Sequence, residues 1–368
     1  MRKKLRPIAI YLPQFHPVAE NDEWWGKGFT EWRNVTKATP LYRGHYQPHL
    51  PADLGFYDLR LPETREAQAR LAQEYGIYGF CYYHYWFNGR RILERPFQEV
   101  FESGKPDFPF MLCWANENWT RVWDGGEKNV LLEQKYNSED DANHIKSLLA
   151  YFKDPRYIRI DSKPVFAVYK ASLLPDIRKT VEVWREVARE AGVELYLCNF
   201  ESLGEPKTDP KILGLDATIQ FPPFGILNIN NQNNQGITAS RIKNAIWSRV
   251  SNRYKKLFHK ANFLSYDEMM TTDLASFPPA YKQFPCVTPM WDNTSRRKKP
   301  TILKKSTPEK FEQWVRQKVA RFKPFSDDEN LFFINAWNEW AEGNHLEPCQ
   351  RWGKQYLEAL KKGIGSDE

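Results

Sequence analysis

Eight short apolar runs, each about the length of a strand, recur along this chain, and helix-period stretches fill most of the gaps between them. The runs are "IAIYLPQFHP" (8–17), "IYGFCYYHYW" (77–86), "FPFMLCWANENW" (108–119), "KPVFAVYK" (163–170), "ELYLCNFE" (194–201), "LDATIQFPP" (215–223), "FPCVTPMWDNT" (284–294) and "NLFFINAWNEW" (330–340). Helical periodicity marks 63–76, 138–153, 177–192, 308–323 and 349–363, with Gly76 and Gly192 as stops and an acidic first turn at 138. Strand and helix alternating in one order build a parallel sheet. Eight such units predict an α/β protein of the (β/α)8 TIM-like barrel class, a single catalytic domain over 1–368. An open doubly wound sheet is the alternative.

A barrel of this kind places its working residues in the loops after the strand C-termini. Polar and aromatic residues collect there, in "QFHP", "YHYW", "WANENW", "NFE", "QFPP", "MWDNT" and "NEWAEG". Two insertions are long enough to be functional, one after strand 1 (18–58) and one after strand 6 (224–278). The second carries an Asn/Gln tract (228–235), then seven Lys/Arg and no acid over 241–260. On a helix, that stretch suits peripheral contact with an anionic membrane surface or an acidic glycan; a solvated crossover helix is the alternative.

Composition narrows the function. Trp 14, Tyr 18 and Phe 23 make 15% of the chain, and the tryptophans recur beside Asn, Glu and Arg, as in "EWWGKGFTEW", "CWANENWTRVW" and "NAWNEW". Indole faces stack on the apolar patches of sugars while polar neighbours take hydroxyls, so an oligosaccharide or polysaccharide partner is expected. A net charge of +7 is mild for this length, and no phosphate-binding glycine loop appears, so no nucleic-acid partner is expected. His16, His45, His49, His84 and His345 lie near strand ends or in the first insertion, but without HxH or HExxH spacing. Neither metal nor cofactor is expected. Cys81, Cys113, Cys198, Cys286 and Cys349 are dispersed and odd in number, which favours a reducing compartment. The N-terminal apolar run is broken by Pro7, Pro13 and Gln14, and no stretch reaches membrane-spanning length, so a cytoplasmic location is expected.

The chemistry concentrates in "NEWAEG". Glu339 and Glu342 are three residues apart. In an extended strand that offset would turn them to opposite faces; if the chain turns helical after strand 8, they share one face. Gly343 supports a turn. Two carboxylates flanking a bond are the minimal equipment for glycoside hydrolysis, and apolar rings and mutual repulsion would drive their pKa values apart. Two solvated surface acids are the bland alternative. Glu117, in "ANEN" after strand 3, competes as an acid but suits a hydroxyl-binding role better.

"IAIYLPQFHP", "WWGKGFTEW", "YGFCYYHYWF", "CWANENWTRVWDG" and "INAWNEWAEGNHLEP" resemble the WbsX-like family of bacterial surface-polysaccharide clusters, over about residues 7–360. That family is in turn similar to glycoside hydrolase family 99, the endo-α-mannosidases, which are (β/α)8 barrels. The resemblance implies a retaining mechanism through a 1,2-anhydro sugar, with Glu339 as base on the 2-hydroxyl and Glu342 as acid on the leaving oxygen. The expected cleft takes Tyr11 and His16 from strand 1, Trp24, Trp25 and Trp32 from the first insertion, and Tyr83, His84 and Trp86 from strand 2. Trp114, Asn116, Glu117 and Trp119 join from strand 3, Asp292 from strand 7, and Trp337 and Asn338 from strand 8. The expected activity is hydrolysis or transglycosylation of α-linked sugars in a bacterial polysaccharide or lipid-linked oligosaccharide. Two alternatives stand beside it: a glycosyltransferase of O-antigen or capsule assembly, although the chain has no Asp-x-Asp, and a non-catalytic glycan-binding barrel.

Overall fold

The computed structural model describes residues 5–121, 126–226 and 261–365. The basic stretch 241–260 and the Asn/Gln tract lie outside the described residues. Eight barrel strands run in chain order: β1 (Arg6–Tyr11), β2 (Gly79–Phe87), β3 (Phe110–Trp114), β4 (Lys163–Val168), β5 (Tyr196–Glu201), β6 (Ala217–Gln220), β7 in two pieces (Gln283–Phe284 and Cys286–Val287) and β8 (Leu331–Ile334). Every neighbouring pair is parallel. β1 sits between β2 and β8, with Ile8 opposite Gly79 on one side and Arg6 opposite Leu331 on the other. The barrel closes through β7, whose first piece pairs with β6 and whose second pairs with β8. The break falls at Pro285, which has no N–H to donate to a ladder. Its carbonyl still serves, accepting from Phe333 N at 2.8 Å.

The strands are buried from end to end, as a sheet covered on its outer face must be: β2 has no exposed position in nine residues. Gly79 opens β2 because a Cβ there would meet the Pro109 carbonyl oxygen at 2.6 Å. Outside the strands, the helices α3 (Pro62–Glu74), α5 (Ser138–Phe152), α6 (Ile177–Glu190) and α8 (Pro308–Arg321) stand where periodicity predicts them. Their starts carry the expected chemistry. Asn137, Asp176 and Thr307 each cap the backbone N–H three residues on, and Pro62 and Pro308 occupy first-turn positions. The last helix, α9, begins at Gln355 rather than at 349, because Cys349 is held in bridges to Pro51 and Gly353.

Four additions were not expected. α4 (Arg95–Ser103) fills the gap between β2 and β3. The first insertion contains α1 (Ala19–Trp25) and α2 (Glu31–Lys37), so it is a structured cap rather than a bare loop. In the second, the described residues add a short strand, Asn262–Ser265, paired in parallel with Thr301–Lys304, and then α7 (Tyr266–Ala275). A hairpin of Trp119–Arg121 with Gly126–Leu132 rises beyond β3. All five cysteines are buried and unpaired. No described helix is long and apolar enough to cross a membrane.

Candidate active site

The segment after β8 resolves the geometry of its two acids. Asn338–Glu339 pairs antiparallel with Asn344–His345, and a single 3-10 turn, Trp340–Glu342, joins them. Residues three apart eclipse in a 3-10 turn, so Glu339 and Glu342 point the same way. Gly343 reverses the chain at φ 54°, and a Cβ there would meet the Asp292 carbonyl oxygen at 2.7 Å. The turn is thus pressed against the loop after β7, and Asp292 N donates to Glu342 O at 2.7 Å.

That loop supplies a third member, Arg296. Its Nη1 lies 3.1 Å from Glu342 Oε1 and 3.5 Å from Glu339 Oε2, and its Nε lies 3.9 Å from Glu31 Oε1 on α2. Three carboxylates therefore face one guanidinium. Burial pushes Glu339 well above the usual carboxylate range; Glu342 and Glu31 push the same way and Arg296 pulls back. Burial also raises Glu342, against Arg296 and Arg297. Burial works against the charge on Arg296, but Glu342, Glu31 and Glu339 outweigh it and hold the guanidinium above its ordinary value. Carboxyls raised in this way hold a proton to higher pH than exposed ones do.

Glu339, Glu342, Arg296 and Arg297 form one end of a cavity of about 630 Å³ at the C-terminal mouth of the barrel, within the range of small-ligand sites. Aromatic rings make much of its wall: Trp25, Tyr83, Tyr85, Trp119, Tyr136, Tyr169, Phe221, Phe224 and Trp291. Burial pushes the Tyr83, Tyr85 and Tyr169 hydroxyls up, and nearby carboxylates add to it, so all three stay neutral donors. Four polar atoms of the lining residues, Gln14 Nε2, Gln134 Oε1, Trp291 Nε1 and Glu339 Oε2, are buried without a hydrogen-bond partner among the described residues. Lost hydrogen bonds of this kind are costly, and a polyhydroxylated ligand would supply them.

Of the residues expected in the cleft, Trp25, Tyr83, Glu117, Trp119, Glu339 and Glu342 line the cavity. Trp24 packs edge-on against Trp119 at 5.6 Å. The others are not among the lining residues, and most of them are engaged within the protein itself. Tyr11 donates to Gln68 at 2.7 Å, and Trp32 donates to the Tyr57 carbonyl at 2.9 Å and packs on Trp340. Trp86 donates to both oxygens of Asp140, Trp114 donates to the Trp86 carbonyl, and Trp337 is enclosed against Phe80. His84 meets His144 at 3.0 Å, and burial lowers it to about 3. His16 is enclosed and lowered to about 4, again by burial. Asn116 exchanges two hydrogen bonds with the Lys170 backbone and Asn338 two with that of Leu12. Asp292 accepts from His45 at 2.5 Å and caps Thr294. No group of three or more potential metal ligands occurs among the described residues.

Sequence reasoning passed over Arg296, Arg297, Glu31, Gln14, Tyr85, Tyr169 and Trp291. Position in strand-end motifs marked Gln14, Tyr85 and Trp291. Arg296 and Arg297 sit in "TSRRKKP", which reads as a solvated basic tract, and nothing in one sequence tells a buried Glu31 from an exposed one.

Comparison with known proteins follows the same lines. The family model described as Glycosyltransferase WbsX matches residues 7–360. The uncharacterized protein WxcX of Xanthomonas campestris pv. campestris is 41% identical over 362 residues in strain ATCC 33913, covering 97% of this chain and 49% of WxcX. In strain B100 it is 40% identical over the same span. The chain thus covers about half the length of the curated relatives it matches. Among solved structures, the glycoside hydrolase family 99 endo-alpha-mannosidase of Bacteroides thetaiotaomicron superposes with a TM-score of 0.57 at 11% identity, over 98% of this chain and 96% of that one. A glycoside hydrolase-like protein superposes with a TM-score of 0.55 at 15% identity, over 98% and 94%. At those identities the likeness is one of fold.

Proposed function

The chain belongs to the WbsX glycosyltransferase family, and from that premise we propose that it is a glycan-processing enzyme that breaks α-linked glycosidic bonds of a polysaccharide or lipid-linked oligosaccharide with retention at the anomeric carbon. The observation that carries this reading is the sharing of Arg296 Nη1 by Glu339 and Glu342. Contacts of 3.1 and 3.5 Å to one nitrogen hold those two oxygens no more than about 6.6 Å apart, a spacing that suits a retaining pair better than an inverting one.

In the first step Glu342 gives its proton to the glycosidic oxygen as the C1–O bond breaks. Glu339 takes the proton of the sugar 2-hydroxyl, and O2 closes onto C1 from the opposite face. In the second, a water or sugar hydroxyl attacks C1, its proton passes to Glu342, the C1–O2 bond opens, and Glu339 returns its proton to O2. Two inversions give net retention. Direct attack of Glu339 on C1 satisfies the same geometry. Indole and phenol rings along the cavity would stack on sugar faces, with Gln14, Trp291 and the neutral tyrosines donating to hydroxyls.

The identity of the second-step nucleophile separates a hydrolase from a transferase. The family's description favours transfer, and the fold likeness to family 99 favours hydrolysis; the acid pair serves both. The test is to follow wild type, Glu339→Gln and Glu342→Gln by NMR on α-linked aryl glycosides and surface polysaccharides, with and without sugar acceptors. The α-anomer should form first, and both variants should lose turnover. Turnover that survives in both variants, or a β-anomer as first product, would sink the proposal.

A further inference from the structure

Glu31 is the least expected member of the cluster. It opens α2 with its side chain fully enclosed, and neither carboxyl oxygen has a hydrogen-bond partner among the described residues. Burying a carboxylate in this way is expensive, and removing the charge at an ordinary packing position is often neutral or stabilising. Among the described residues the cation near Glu31 is Arg296, whose Nε lies 3.9 Å from Oε1. Arg296 is also the group that spans Glu339 and Glu342, with a different nitrogen. A guanidinium is a rigid planar fork, so holding one edge fixes where the other points.

We propose that Glu31 is a positioning residue: it anchors the Nε edge of Arg296 toward α2, so that the guanidinium presents Nη1 to Glu339 and Glu342 together and is not drawn wholly onto either. The inference rests on reading Glu339 and Glu342 as the working pair. Its consequence is electrostatic. With one guanidinium divided among three carboxylates, the pair is left under-neutralised and holds on to a proton that a fully paired carboxylate would shed.

The groups that bear on this are few. On α2, Asn34 lies beside Glu31 and favours its ionised form. The loop after β7 contributes Arg296 and Arg297, the turn after β8 contributes Glu339 and Glu342, β2 contributes Tyr85, and Glu117 acts on Glu342 from the loop after β3. Burial raises Glu31 itself, and Arg296 is the first group that opposes this. Two packing features keep α2 from drifting: Glu31 N donates to Gln14 O at 3.2 Å, and Trp32 packs on Trp340 inside the catalytic turn.

The experiment is a pH titration of carboxyl carbons by NMR in protein labelled at glutamate Cδ, with the two resonances identified by their loss in Glu339→Gln and Glu342→Gln. In Glu31→Gln a negative charge is gone and Arg296 is released toward the pair, so both midpoints should fall, by about one pH unit. Glu31→Asp keeps the charge but shortens the reach, and should give a smaller fall in the same direction. That variant also carries the test if Glu31→Gln does not fold. A side chain that merely fills space would leave the midpoints where they are, and unchanged midpoints in either folded variant overturn the proposal. The titration reads the cluster whether or not the pair is catalytic, so its failure is distinct from loss of the functional reading, which turns on turnover by Glu339→Gln and Glu342→Gln.

Discussion

Asn338 and Leu12 are joined as if they were neighbours in a ladder: Asn338 Oδ1 accepts from Leu12 N at 2.7 Å, and Asn338 Nδ2 donates to Leu12 O at 3.0 Å. A side-chain amide here stands in for a peptide group, tying the end of β1 to the residue before Glu339. Asn338→Asp keeps the shape and loses the donor, and it sets a carboxylate against the Leu12 carbonyl inside the protein. The expected cost is on the order of 3 kcal/mol, read as a lower urea midpoint with an unchanged m-value. Asn338→Ala leaves both Leu12 groups without this partner but introduces no charge, and should cost less.

The acid pair should reveal itself in stability as well as in turnover. Burial raises the Glu339 and Glu342 carboxyls in the folded protein relative to the unfolded chain. The folded state therefore binds protons more tightly, and the stability this lends is complete at pH values where both states are protonated and is lost as pH rises. Glu339→Gln has no such penalty. It should melt higher than wild type at pH 8, and the gap should close as pH falls toward 4. An equal difference at both pH values would count against a buried, raised Glu339.

Glu347 offers a cleaner case of the same sign. Its enclosed carboxyl accepts from Tyr57 at 2.8 Å, Gln68 at 2.6 Å and Trp340 at 2.6 Å, and burial still pushes it up to about 7. From its unfolded value to that figure, wild type should lose on the order of 3 kcal/mol as pH rises. Glu347→Gln should flatten this slope, which denaturant titrations at pH 5 and pH 8 would measure. Because Trp340 lies between the two acids, turnover should fall in the variant even where stability improves.

Gly343→Ala tests the reversal itself. The alanine would have to adopt φ 54° with its Cβ 2.7 Å from the Asp292 carbonyl oxygen. The expected loss is about 2 kcal/mol. Turnover should fall more than this loss implies, because relief of the clash moves Glu342 away from Arg296. Comparing kcat at a temperature where both proteins are fully folded separates the two effects.

The alternation of apolar runs with helical stretches was enough to read the barrel, because each run had to be covered on both faces. The convergence of Glu339 and Glu342 was legible for a related reason: an offset of three and a following glycine admit few turns. The aromatic residues were harder. Trp114 and Trp337 carry the same polar neighbours as Trp119, yet they are enclosed while Trp119 lines the cavity, and a strand written almost wholly in apolar letters does not say which face is which. Asn116 and Asn338 look like sugar-binding amides in the sequence, and the backbone they serve is distant in the chain. α4 left signs that went unread, a proline in its first turn and Gly104 at its end. Glu31 and Arg296 could not be paired from sequence at all, since nothing local links the first turn of α2 to a loop that only the closed barrel brings beside it.

The split of β7 at Pro285 and the pairing of β1 with β8 have a meaning in time. A chain that emerges from its N-terminus builds seven staves, the aromatic wall and Arg296 before it reaches Leu331. The stave that completes the ring is followed within a few residues by both glutamates. Closure and arming are therefore a single event: a stalled or clipped product that stops short of Leu331 carries most of the aromatic wall but neither Glu339 nor Glu342, and under the proposed function it would not act on a glycan.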